Sequence, residues 1–181
     1  MCIRDRFLII IFSATKLLAA EEIKNNGHQL NFFTGNFDFS DDKQSAYLVG
    51  FQHQDENLNR DTFIGNVSPI SGFFITENSA AYVYSGVEWN VDLGSLTFTP
   101  SFAPGLYHEG DGKDLGHVLE FKSEIQLSYD FSSVSSIGFS YNHVSNASLG
   151  DKNPGANSYI CLLYTSPSPR DLSTSRMPSS A

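Results

Sequence analysis

Cysteine is nearly missing from this 181-residue chain, which has only Cys2 and Cys161, one in each terminal stretch. The body between them has no thiol, which excludes a disulfide framework or a cysteine-ligated metal there. Basic residues are also scarce, 11 Lys+Arg against 20 Asp+Glu. So acidic a chain presents no basic face to phosphates, and nucleic acid is not an expected partner. No apolar run is long enough for a comfortable membrane helix. Residues 7–20, FLIIIFSATKLLAA, are broken by Lys16 and fall short of the roughly 20 residues a spanning helix needs. Helix periodicity is poor throughout; Gly, Asn, Ser and aromatics dominate.

The ends differ from the middle. Residues 1–6 (MCIRDR) and 161–181 (CLLYTSPSPRDLSTSRMPSSA) read as in-frame translations of a transposon-type sequencing adapter, and we set them outside the domain. Residues 7–20 read as a partial export signal, ending in small residues at Ala19 and Ala20. One domain is then expected over 21–160, a length that suits a single core. Residues 7–160 carry 7 basic and 18 acidic side chains, a net of −11.

What this middle does have is period-2 alternation. In 119–131, Leu119, Phe121, Ile125, Leu127, Tyr129 and Phe131 share one face with Ser123; Glu120, Lys122, Glu124, Gln126, Ser128 and Asp130 share the other. The segment is long for a soluble strand and matches the length of a tilted membrane strand. Weaker copies occur at 30–39, 45–52, 70–77, 82–91, 95–102 and 135–145, with a last strand starting near Ala156. Turn residues at 40–43, 55–60 and 109–113 separate them. The expected fold is all-β, an eight-stranded antiparallel transmembrane barrel, because strands span lipid only when every edge is paired. Ile125 and Leu127 should then face lipid, and Glu124 and Gln126 the lumen. Alternation alone does not separate inside from outside, so a soluble lipid-binding barrel with its apolar face inward shares the pattern. The last strand is expected to be cut short at Ile160, with 167–181 unpaired.

The stretch 141–159, YNHVSNASLGDKNPGANSY, concentrates the chemistry. His143 and Ser145 continue the face of Ile137, Phe139 and Tyr141. Two residues along a strand span about 6.6 Å, close enough for neighbouring same-face side chains to lean together. A histidine beside a serine hydroxyl is the minimum for an activated oxygen nucleophile. A bare H-x-S motif is by itself more often a surface pair, but polar groups on an apolar, lipid-directed stripe need a reason.

This stretch resembles the active-site segment of the lipid A 3-O-deacylase (acyloxyacyl hydrolase) family, through His143, Ser145, Asn146, Gly150, Asn153, Pro154 and Gly155. The resemblance implies an exported eight-stranded barrel of the bacterial outer membrane. It implies an esterase, with lipid A as the membrane-borne substrate and no cofactor. His143 would be the base, Ser145 the nucleophile, and Asn146 and Asn153 the oxyanion-hole positions. The family places an acidic residue where this chain has Asn157, which could orient the imidazole without supplying charge; Asp151 is the nearest acidic alternative. A non-catalytic structural barrel remains the other reading of the same pattern. His108, Glu109, Asp111, Asp114 and His117 form an acidic run, read here as a solvated loop rather than a metal site. Trp89 reads as an interfacial anchor.

Overall fold

The computed structural model describes residues 28–165 apart from 42, 64, 133 and 134. The export-signal expectation for 7–20, and the expectation that 167–181 is unpaired, fall outside the described residues. Nine strands follow in order: β1 (His28–Phe37), β2 (Ala46–Asp55), β3 (Arg60–Thr62), β4 (Gly65–Thr76), β5 (Ala81–Asp92), β6 (Leu96–His108), β7 (Leu119–Ser132), β8 (Ser135–Ser145) and β9 (Ala156–Thr165). All pairings are antiparallel. β2 joins β4, sequence neighbours pair from β4 to β9, and β1 bridges β2 and β9 to close the barrel. β3 is a short extra strand hairpinned onto the start of β4. The barrel proper therefore has eight long strands, as the alternation predicts.

Side-chain exposure settles the orientation that alternation leaves open. Ile125 and Leu127 are about half exposed, at 53% and 46%, whereas Glu124 and Gln126 are buried at 8% and 6%. Phe32, Phe73, Val83, Phe102, Leu106, Phe139 and Leu163 join the outward set. Burying such a side chain away from water is favourable by roughly 1.5–3 kcal/mol. A soluble protein does not leave a continuous apolar wall of this kind in water. A soluble barrel with its apolar face inward is excluded by this orientation.

The interior is filled in two tiers. Toward the end bearing the longer loops, Phe37, Leu48, Phe74, Tyr82, Tyr107 and Leu115 are buried together. Gly105 leaves the space that Tyr82 occupies, since a Cβ there would lie 2.6 Å from the tyrosine ring. Below this plug, some of the buried polar groups pair with one another, while the Asn31 and Asn142 amides have no protein partner among the described residues. The Lys122 ammonium pairs with Glu124 at 2.6 Å and lies 4.0 Å above the Tyr84 ring. Tyr84 donates to Gln52, whose amide donates to Glu88, both at 3.0 Å. The opposite end of the lumen opens as a polar cleft of about 270 Å³.

Several boundaries differ from the sequence reading, among them the start of β4, at Gly65 rather than 70, and the ends of β6 and β9. β6 continues past Phe102 to His108 although Pro104 and Gly105 resemble turn material. Its pairing with β7 is unbroken from Leu96 to Leu106, while its register with β5 is interrupted at Pro100 and Pro104, where the ladder lacks a donor. The last strand does not stop at Ile160 but pairs through Thr165. Ile160 and Leu162 point inward, and Cys161 and Leu163 outward. Apolar residues suit both sides of this wall, so the five residues from Cys161 carry the ladder on before the prolines.

Candidate active site

β8 presents Ser140, Asn142 and Val144 to the lumen, all at most 1% exposed. The pleat therefore sends Tyr141, His143 and Ser145 to the outer wall, each half-buried. His143 stands between Asn157 on β9 and Ser123 on β7, and Ser145 lies beside Phe121 on β7. The pair occupies the last turnward rise of β8, next to the loop end.

The His143 ring is held by Asn157. Its Nδ1 lies 2.8 Å from the Asn157 Oδ1, which also accepts the Tyr141 hydroxyl at 2.8 Å. An amide oxygen only accepts, so this contact calls for a proton on the His143 Nδ1, and in the neutral ring Nε2 then keeps the lone pair. The Asn157 Nδ2 donates to the Ser40 Oγ at 3.1 Å. Phe39 stacks on Tyr159 at 4.1 Å and meets Tyr141 edge-on at 6.3 Å, walling one side of the histidine with aromatic rings. Ser145 and His143 share the face but are not joined by a hydrogen bond. Active-site contacts commonly tighten only when substrate is present.

Gly155 explains part of the N-P-G turn. Its φ is +62°, and a Cβ would lie 2.8 Å from the Cε1 of His143. Glycine is needed there both for the backbone and for the imidazole.

The two asparagines expected near an oxyanion differ. Asn146 is fully buried, and its Nδ2 donates to the carbonyls of Leu115 and Lys152, both at 2.8 Å. Its side chain thus fastens the 109–118 loop to the 146–155 loop. Its backbone N–H donates to the Asn153 Oδ1 at 3.1 Å, which fixes the amide of Asn153, an exposed residue. Ala147 and Ser148 follow in the left-handed region, at φ +52° and +64°. Lys152 and Asp114 add an ion pair of 2.5 Å across the same two loops. That hydrogen bond holds the Asp114 carboxyl below its ordinary range.

Asp151 is exposed and makes no bond to His143. In the acidic run, Asp114 is taken by Lys152, and the Nδ1 of His117 accepts the Leu119 N–H at 3.0 Å. Among the described residues no group of three or more His, Cys, Asp or Glu is gathered to hold a metal ion. Ser40 and Asp38, which reach Asn157 from the β1–β2 loop, carry no local sequence signal; they lie 117 and 119 residues away from it. Tyr141 shares the face of His143 in the alternation, but nothing in the sequence pairs it with Asn157.

A closed antiparallel barrel with polar groups in its lumen and an apolar outer wall defines the class: an outer-membrane β-barrel. Residues 33–165 match the family model described as Lipid A 3-O-deacylase (PagL). The chain belongs to that family, a family of esterases. The crystal structure of the outer membrane enzyme PagL superposes with a TM-score of 0.59 at 18% identity, covering 76% of this chain and 98% of that one. A de novo designed transmembrane β-barrel superposes with a TM-score of 0.53 at 9% identity, covering 78% and 97%. No curated protein matches the sequence.

Proposed function

We propose that this protein removes the acyl chain ester-linked at the 3 position of lipid A, by Ser-His acyl transfer at a lipid-facing site in the bacterial outer membrane. The observation that carries the reading is the contact between the His143 Nδ1 and the Asn157 Oδ1. With Nδ1–H held by Asn157, the free Nε2 is the nitrogen available to Ser145 on the same outward face.

The Ser145 Oγ attacks the ester carbonyl while the Nε2 of His143 takes its proton. The imidazolium then gives that proton to the departing 3-hydroxyl of the sugar. Water repeats the sequence on the acyl-serine and releases the fatty acid. The charge on the tetrahedral oxygen needs a preorganised donor. Asn153 suits this role: its Oδ1 is occupied by the Asn146 N–H, which leaves its Nδ2 as the free end. Asn146 acts through Asn153, because its own amide hydrogens are used on loop carbonyls. Asn157 orients the imidazole. A site on the outer wall admits a membrane lipid laterally, so the substrate need not leave the bilayer.

The test is mass spectrometry of lipid A from cells expressing the protein. Loss of one 3-linked acyl chain is expected with the wild-type chain and not with Ser145→Ala or His143→Ala. Unchanged lipid A in wild-type cells, with the barrel folded in the membrane, would favour a structural barrel instead.

A further inference from the structure

Asn157 supplies no charge to His143, yet a carboxylate stands two hydrogen bonds behind it. Asp38 follows β1 directly, is fully buried, and has a left-handed backbone, φ +51°. Non-glycine residues adopt that conformation at a cost, and such positions gather at functional sites. Its Oδ1 accepts the Ser40 hydroxyl at 3.0 Å and the Asn157 backbone N–H at 3.3 Å. Its Oδ2 accepts from the Lys113 ammonium at 2.5 Å.

We propose that Asp38, acting through Ser40, is a positioning residue that fixes the direction of the hydrogen-bond chain ending at His143. This rests on the reading of His143 as the base. An ionised carboxylate can only accept. The single Ser40 hydrogen therefore points at Asp38, and the Ser40 oxygen is left to accept from the Asn157 Nδ2. The Asn157 Oδ1 then faces Tyr141 and the His143 Nδ1. If the amide turned over, its oxygen would oppose the Ser40 lone pairs, and its NH2 would face Nδ1. That would move the imidazole proton to Nε2, where a base needs a lone pair. One acceptor-only group thus sets the polarity of a chain running from the β1–β2 loop through β9 to β8. A carboxylate in direct contact with the histidine would need no such relay, because it cannot be reversed.

Ser40→Ala is the decisive variant. Ser40 is exposed, and the change leaves the Asp38–Lys113 pair in place. It is made in the wild-type chain and in Asn157→Glu, with lipid A deacylation measured alongside the ¹⁵N shifts of the His143 ring in the detergent-folded barrel. In the wild-type chain kcat is expected to fall about tenfold, as when an outer partner that fixes a histidine's tautomer is lost. KM should change little, and the ring signal should move toward the Nε2–H form. Asn157→Glu itself should raise activity near neutral pH, by stabilising the imidazolium. In that background the Ser40→Ala loss should shrink to less than about twofold, a coupling that only interacting sites show. Equal fold losses in both backgrounds, or an unmoved tautomer, would overturn the relay. Asp38→Asn should reproduce the tautomer change; because it also unpairs Lys113, its melting is followed separately, and melting loss without a tautomer change counts against the proposal. If the wild-type chain does not deacylate lipid A, the enzymatic reading fails while the ring shifts still decide the relay.

Discussion

The two ends of the barrel are built differently from the same eight strands. At the loop end the lumen is plugged by Phe37, Phe74, Tyr82, Tyr107 and Leu115, and the loops are fastened by Asn146, Asp38–Lys113 and Lys152–Asp114. At the other end Gln54, Glu88, Asn90, Thr99 and Gln126 line an open cleft. The proposed outer-wall site, His143 and Ser145, lies at the plugged end. A reaction that depends on tenths of an ångström needs supporting residues that do not move, and close packing behind β8 and β9 provides that support. The cleft end has only to keep its polar groups hydrated or paired.

Breaking the chemistry at the loop end should have the largest effect. Ser145→Ala and His143→Ala should each lower deacylation by at least about 10³-fold, with the barrel still folding, because members of one catalytic unit fail together. Quantifying released fatty acid from purified protein in lipid vesicles measures this, and full activity in either variant would remove the proposed mechanism. A core truncation sharpens the comparison between the ends. Phe74→Ala should cost about 3–5 kcal/mol, as large-to-small changes in packed cores do. Gln54→Ala, buried but lining the open cleft, should cost less, about 1 kcal/mol, as an ordinary point substitution does. Urea unfolding in lipid vesicles compares them; equal costs would mean that the plug is no better packed than the cleft.

Gly155→Ala tests whether the loop end serves the histidine as well as the fold. The left-handed backbone alone should cost about 1–2 kcal/mol, and the added methyl meets the His143 ring. Activity should therefore fall further than the stability loss accounts for; a loss of stability with unchanged kcat would separate the turn from the site. The smallest effect belongs to the exposed Asp114–Lys152 pair. The Asp114 carboxyl is held below its ordinary range by the Lys152 hydrogen bond. Its contribution is therefore present above the ordinary Asp range and lost as the pH falls through the depressed value. Asp114→Asn should flatten that acid limb of the melting curve slightly and leave the neutral plateau unchanged, since an exposed pair is screened by solvent. A large loss at neutral pH would show that the bridge does more than tie two surface loops.

The strand count and the two opposed faces of each strand follow from period-2 alternation, because each side chain's face in a strand is set by its parity; which face turns outward was decided by the closed barrel. Ser135–Ser145 was legible to the residue as β8. The ends of β6 and β9 were not, because Pro104 and the residues from Cys161 look like breakers until closed pairing on both sides accommodates them. The shared face of His143 and Ser145 was readable because they continue the apolar stripe of a single strand. The separate duties of Asn146 and Asn153 were not readable, since both are amides in one loop and only the carbonyls of Leu115 and Lys152 tell them apart.

The sequence by itself determined which residues share the apolar face of a strand and which two polar groups continue it, since both are properties of one strand and its local period. Only the tertiary structure decided what stands behind the histidine. Barrel closure pairs β1 with β9, and the loop after β1 brings Asp38 and Ser40 onto Asn157 across nearly 120 residues of chain. Nothing local records that meeting. It depends on the register of strands that touch only once the barrel is shut, and a hydrogen-bond chain with a fixed direction exists only after all of its members have met.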